Sequence, residues 1–164
     1  MVCENLRELQ QLIHKWKEVG ETVVFTNGVF DILHLGHVTY LECAAAQGDR
    51  LVVGINDDVS VRALNKGPER PIHPQEARAG VVAALRAVDA VIIFSEDTPL
   101  ELVKAIEPDV LVKGGDYDPS EMDASKKTYM VGSAEVRSRG GEVVAIPLVD
   151  GYSTTAAIRK IAGK

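Results

Sequence analysis

Cysteine is scarce. Of 164 residues only Cys3 and Cys43 are cysteine, one near the amino end and one in an apolar helical pattern. That pairing makes no disulfide framework and fits a reducing cytoplasm. An excess of positive charge is also missing, since 18 Lys and Arg face 24 Asp and Glu for a formal net charge of −6. No whole-surface attraction to nucleic acid or anionic lipid is expected, so neither is expected as a partner. No apolar run approaches the ~18 residues of a membrane span, and the acidic, polar opening residues do not form a signal peptide. Internal repeats, low-complexity tracts and linkers are absent.

What is present is ordinary for one globular domain: 46% hydrophobic and 26% charged residues, in a length that suits a single core across residues 1–164. Apolar β-branched runs predict strands at 22–25, 51–55, 90–94, 110–112 and 142–146. Between them, helical spacing predicts helices at 5–18, 38–47, 74–88, 99–106 and 126–139, with a final one at 156–162. Pro74 lies in the first turn of its helix, with Val81, Val82, Ala84, Leu85 and Val88 facing inward. Thr98 is expected to cap the helix opened by Pro99. Residues 59–74, with Lys66-Gly67-Pro68-Glu69-Arg70-Pro71, read as a loop longer than usual strand–helix connections, and long loops in compact domains are often functional. The alternation predicts an α/β fold, a single Rossmann-like, doubly wound, five-stranded parallel sheet with helices on both faces. Ligands of such sheets sit beyond the carboxyl ends of the strands, at the switch point.

The residues that suggest chemistry all leave those ends. After the first strand comes Thr26-Asn27-Gly28-Val29-Phe30-Asp31-Ile32-Leu33-His34-Leu35-Gly36-His37. Histidines three apart at a helix start project to one side. The backbone N–H groups there favour an anion, and Gly36 permits close approach. A polyphosphate fits, and so does a bland pair of capping histidines. A zinc site does not, because no third ligand stands at suitable spacing. Asp31 is expected to cap or orient the loop.

Lys66 is either a solvated lysine or a mobile cation that closes over phosphate. Lys113-Gly114-Gly115-Asp116-Tyr117 is a permissive turn that can present backbone to a flat base. Gly151-Tyr152-Ser153-Thr154-Thr155 supplies an N-cap, and the same geometry makes an anion site.

Together with Arg70-Pro71-Ile72 and Ala87-Val88-Asp89, these pieces resemble the cytidylyltransferase-like branch of the HxGH nucleotidyltransferase superfamily. Within it they look most like the heptose 1-phosphate adenylyltransferases of lipopolysaccharide core precursor synthesis. The resemblance runs in order from Val23 to Ile161. It implies that His34 and His37 contact the nucleotide phosphates, that Lys66 approaches the triphosphate, and that Ser153, Thr154 and Thr155 hold phosphate at a helix start. It also implies a nucleotide pocket lined by backbone around Thr26, Asn27, Gly28 and Phe30, with Gly115 and Asp116 near the base and Gly36 and Lys113 among the nucleotide-binding residues. His73 departs from the asparagine that relatives often carry.

The reaction so implied moves AMP from ATP to a sugar 1-phosphate by direct in-line attack. Mg²⁺ shields the triphosphate and no protein-held metal is required. A cytoplasmic homodimer is the expected form. Two alternatives stay open: a cytidylyltransferase for glycerol 3-phosphate or another polyol phosphate, and a nucleotide-binding domain without turnover.

Overall fold

The computed structural model describes residues 1–64, 67, 69–115, 117–161 and 163. Five strands carry the chain: β1 Val23–Gly28, β2 Arg50–Asn56, β3 Ala90–Phe94, β4 Val110–Gly114 and β5 Glu142–Ile146. All pair in parallel, in the order β3-β2-β1-β4-β5. The chain therefore winds outward from β1 in both directions, and the switch point lies between β1 and β4.

Side-chain alternation divides the core across the sheet. Val23 and Phe25 of β1 pack on one face with Leu9, Ile13, Val103, Met130 and Val136. Val24 packs on the other with Tyr40, Leu41, Ala79 and Val82. The first face is covered by α1 Leu6–Glu18, α5 Leu100–Ile106 and α6 Ser133–Ser138, the second by α2 Leu35–Ala45 and α4 Gln75–Ala83. The doubly wound architecture predicted from the sequence is thus present. Among the described residues, no helix is long and apolar enough to cross a membrane.

Carboxylates pin the amino ends of the strands. Asp109 accepts from the Val23 N–H at 2.8 Å and Asp49 from Thr22 at 2.8 Å. Asp89 accepts from Leu51 at 2.8 Å and pairs with Arg50 at 3.0 Å. The Ala87-Val88-Asp89 piece therefore fixes strand register, far from the ligand edge.

The boundaries needed four corrections. Residues 59–74 are not all loop, because α3 Asp58–Ala63 forms there, capped by Asp57 accepting from Ser60 N at 2.7 Å. The Asn-Asp-Asp run that reads as a strand end is also an N-cap signal. Helix α4 stops at Ala83, and Val81 is 53% exposed while Arg78, Ala79 and Val82 are buried. Thr98 does not cap α5, since Pro99 holds the N-cap position without a side-chain hydrogen bond. Residues 126–132 make turns, and α6 begins only at Ser133. The last helix, α7 Thr154–Ile161, buries no residue fully.

Candidate active site

Beyond the switch point, the connections from β1 and β4 part toward opposite faces of the sheet. They leave an open cleft of about 840 Å³. His34, Gly36 and His37 from the start of α2 form one wall. Ser153, Thr154 and Thr155 from the start of α7 stand beside them, and Lys113 and Gly114 from β4 close the floor.

His34 is the N-cap of α2, with Nδ1 accepting from the His37 N–H at 3.4 Å. The imidazoles stack, their centroids 3.8 Å apart and 14° from parallel. The edge of Phe30 meets His37 at 5.3 Å. Capping thus leaves the pair on the cleft, so the capping reading does not exclude the functional one.

Burial pushes the His37 imidazole down to about 4, with the neighbouring His34 and Arg70 charges adding to it against an Ile32 backbone contact. Burial also lowers His34. Both shifts favour neutral rings near pH 7, which can donate as well as accept hydrogen bonds. His37 Nδ1 is buried without a partner, which is costly unless a ligand supplies one.

Close approach explains two glycines. A Cβ on Gly28 would lie 2.9 Å from Phe30 Cε2, and one on Gly36 would lie 3.1 Å from both His34 Nδ1 and Tyr152 Cβ. Phe30 itself sits at φ 47°, a conformation that a bulky residue holds only when its surroundings enforce it. Gly28→Ala should therefore destabilise the protein by about 1–3 kcal/mol and push Phe30 toward His37. Thermal unfolding and the His37 ring resonances measure the two effects separately.

Thr26 needs correction as a nucleotide contact. It is fully buried, its hydroxyl 2.6 Å from Tyr40 Oη. Strand alternation turns it beneath α2, where burial raises Tyr40 to about 12. Asn27 lines the cleft and accepts a hydrogen bond from Lys113 Nζ, which also lies 5.8 Å from the Tyr117 ring. Gly114 lines the cleft, whereas Gly115 stands just past the strand end. Lys66 and Asp116 lie outside the described residues. Ser153 Oγ accepts from Ala156 N at 3.4 Å, and Thr154 Oγ1 donates to the Ile32 carbonyl at 3.4 Å. That second bond ties α7 to the histidine loop.

Two arginines have no role in the sequence reading: Arg70, named there only as part of the loop and of the Arg70-Pro71-Ile72 piece, and Arg78. Arg70 lines the cleft, and its Nε lies 2.6 Å from Asp31 Oδ2. Asp31 also accepts from the Ile72 and His73 N–H groups at 2.9–3.0 Å. It orients the loop, as expected, by holding the segment before α4 against the histidine loop. Arg78 is fully buried behind both. The signal for it was its spacing, three residues after Gln75 and four before Val82, on the inward face of α4. His73 contributes backbone, and its side chain is exposed.

A parallel sheet with a polar cleft at its switch point, walled by an HxGH helix start and a second hydroxyl-rich helix start, is a nucleotidyltransferase-type architecture. The chain belongs to the cytidylyltransferase-like family, whose model matches residues 25–160. It is 53% identical over 161 residues to the bifunctional protein HldE of Methylobacillus flagellatus, covering 98% of this chain and 31% of that protein. It is 52% identical over 160 residues to HldE of Ectopseudomonas mendocina, covering 98% and 32%. The chain thus spans about a third of the length of these relatives.

Among solved structures, it is similar to a lipopolysaccharide core biosynthesis protein from Thermoplasma volcanium. That match has a TM-score of 0.61 and 30% identity over 82% of this chain and all of the other. A pantoate-β-alanine ligase from Francisella tularensis shares the fold alone, with a TM-score of 0.61 at 14% identity over 90% of this chain and 66% of the other.

Proposed function

We propose that this chain transfers AMP from ATP to D-glycero-β-D-manno-heptose 1-phosphate, giving ADP-heptose and pyrophosphate. The observation that carries the proposal is the convergence on one cleft of His34, His37, Lys113 and the start of α7. Similarity to the HldE proteins and to a lipopolysaccharide core biosynthesis protein supports the heptose substrate. An oxygen of the sugar phosphate bonds to the α-phosphorus of ATP as the bond to the bridging oxygen of pyrophosphate breaks. The attacking oxygen is already ionised, so no protein nucleophile is needed.

The protein's part is alignment and charge stabilisation, and alignment of two bound reactants supplies roughly 7–11 kcal/mol. His34 and His37 donate to phosphate oxygens, Ser153, Thr154 and Thr155 hold phosphate at the start of α7, and Lys66 completes the charge. Asn27, Gly28 and Phe30 line the nucleotide pocket, and Gly36 lets phosphate approach α2. Gly115 and Asp116 are the residues proposed to serve the base, and Lys113 is a further nucleotide-binding residue. The donor set suits Mg²⁺ carried by the triphosphate. Asp31 is engaged with Arg70, Ile72 and His73, and no three His, Cys, Asp or Glu among the described residues gather to hold an ion. Bound there, Mg²⁺ would neutralise the charge of the leaving pyrophosphate. A cytoplasmic homodimer completes the proposal.

Pyrophosphate release by the wild-type protein with ATP or CTP, each paired with heptose 1-phosphate or glycerol 3-phosphate, tests the reaction. Turnover with ATP and heptose 1-phosphate at least tenfold above every other pair is expected. Preference for CTP with glycerol 3-phosphate would overturn it in favour of a polyol-phosphate cytidylyltransferase.

A further inference from the structure

We propose that Arg70 is a substrate-phosphate ligand, held in place by Asp31 and acting beside His37 on one phosphate group. The inference deepens the function proposed above and rests on it for the identity of the substrates. Four observations carry it.

The Arg70 side chain is only 6% exposed, yet it lines the cleft. A buried guanidinium needs a counter-charge, and among the described residues Asp31 is the carboxylate paired with it. Asp31, however, already shares its two oxygens among the Ile72 and His73 N–H groups. Although 2.6 Å from Asp31 Oδ2, Arg70 Nε makes no well-directed hydrogen bond and is buried.

His37 lines the same cleft, and its Nδ1 is a second buried nitrogen without a hydrogen-bond partner. The charge of Arg70 is felt at His37, where it helps keep the ring neutral. Two residues that line one cleft, one of them cationic and each with a buried nitrogen lacking a directed hydrogen bond, call for an anion with several acceptor oxygens. Phosphate meets that need, and a guanidinium grips it through two parallel N–H bonds where an ammonium cannot. Asp31 then has a double role: it fixes the backbone that carries Arg70 and offsets the charge until phosphate arrives.

The phosphate comes from ATP or from the sugar phosphate, and the test separates the two. The Arg70 Nε–H resonance, assigned by its loss in Arg70→Lys, is followed in the wild-type protein. Pyrophosphate, ATP and heptose 1-phosphate are added in turn. A shift with pyrophosphate and ATP assigns the triphosphate, and a shift with heptose 1-phosphate assigns the acceptor. Calorimetry on Arg70→Gln should show at least tenfold weaker binding of the same ligand, with Arg70→Lys intermediate. Thermal unfolding establishes that each variant is folded, and the wild-type resonance decides the matter if one is not.

An unmoved resonance with all three ligands overturns the proposal, as do unchanged affinities in a folded Arg70→Gln. If the wild-type protein turns over no substrate pair while the resonance still answers pyrophosphate, the reaction falls and the phosphate site stands.

Discussion

His37→Ala should lower the rate of pyrophosphate release by about 10²–10³-fold, as removal of one preorganised donor to transition-state charge does elsewhere. The position of the ring makes the loss specific. His37 stacks on the N-cap histidine and is flanked by Phe30, so its orientation is fixed before substrate binds. The loss should fall mainly on kcat, because charge on the transferred phosphoryl group and leaving oxygen is greatest in the transition state. Near-normal turnover by a folded variant would rule the role out.

The proton linkage gives an independent check. His37 titrates at about 4 in the folded protein, against the ordinary value of 6.5. Between those values the unfolded chain binds more protons, so stability falls as pH drops from 6.5 toward 4. Above 6.5 the ring is neutral in both states and contributes no pH dependence. His37→Ala should abolish that share of the acid sensitivity. Triphosphate acts in the opposite direction, since an anion beside the ring favours its protonated form. The wild-type His37 titration, followed by NMR, should move upward when ATP is added.

The five-stranded parallel sheet was legible because buried parallel strands leave short apolar runs, whereas its strand order came only from the pairing. The cleft was legible because its glycines, histidines and hydroxyls all follow strand ends, where a doubly wound sheet gathers them. Thr26 was misplaced for a simple reason. Strand β1 continues to Gly28, so pleating sends Thr26 under α2 and leaves Asn27 to face the ligand. Helix α3 was hidden because Asp57 serves the end of one element and the cap of the next. Arg78, and the burial of Arg70, were hidden by residue type. Sequence assigns a charged residue to solvent by default, and only tertiary contacts show four acceptors converging on Arg78.

Arg78→Met should cost about 3–5 kcal/mol, the range for removing one partner of a buried charged network. Its Nε donates to the His73 carbonyl at 3.0 Å and Nη1 to Val29 at 2.7 Å. Nη2 donates to Asn56 at 2.7 Å and to Asp58 Oδ1 at 2.8 Å. One guanidinium thereby joins the histidine loop, the end of β2, the start of α3 and the segment carrying Arg70. Methionine fills much of the volume but leaves Asp58 and three carbonyls without their donor. Lysine keeps the charge and cannot reach four acceptors in different directions, so Arg78→Lys should fall between methionine and wild type. Urea unfolding measures the stability difference. The same variants should lose turnover beyond what their unfolded fraction explains, because Val29 precedes the residue that braces His37 and His73 is held by Asp31. An Arg78→Met protein within 1 kcal/mol of wild type, with unchanged kcat, would mean that the cleft loops hold their places without this side chain.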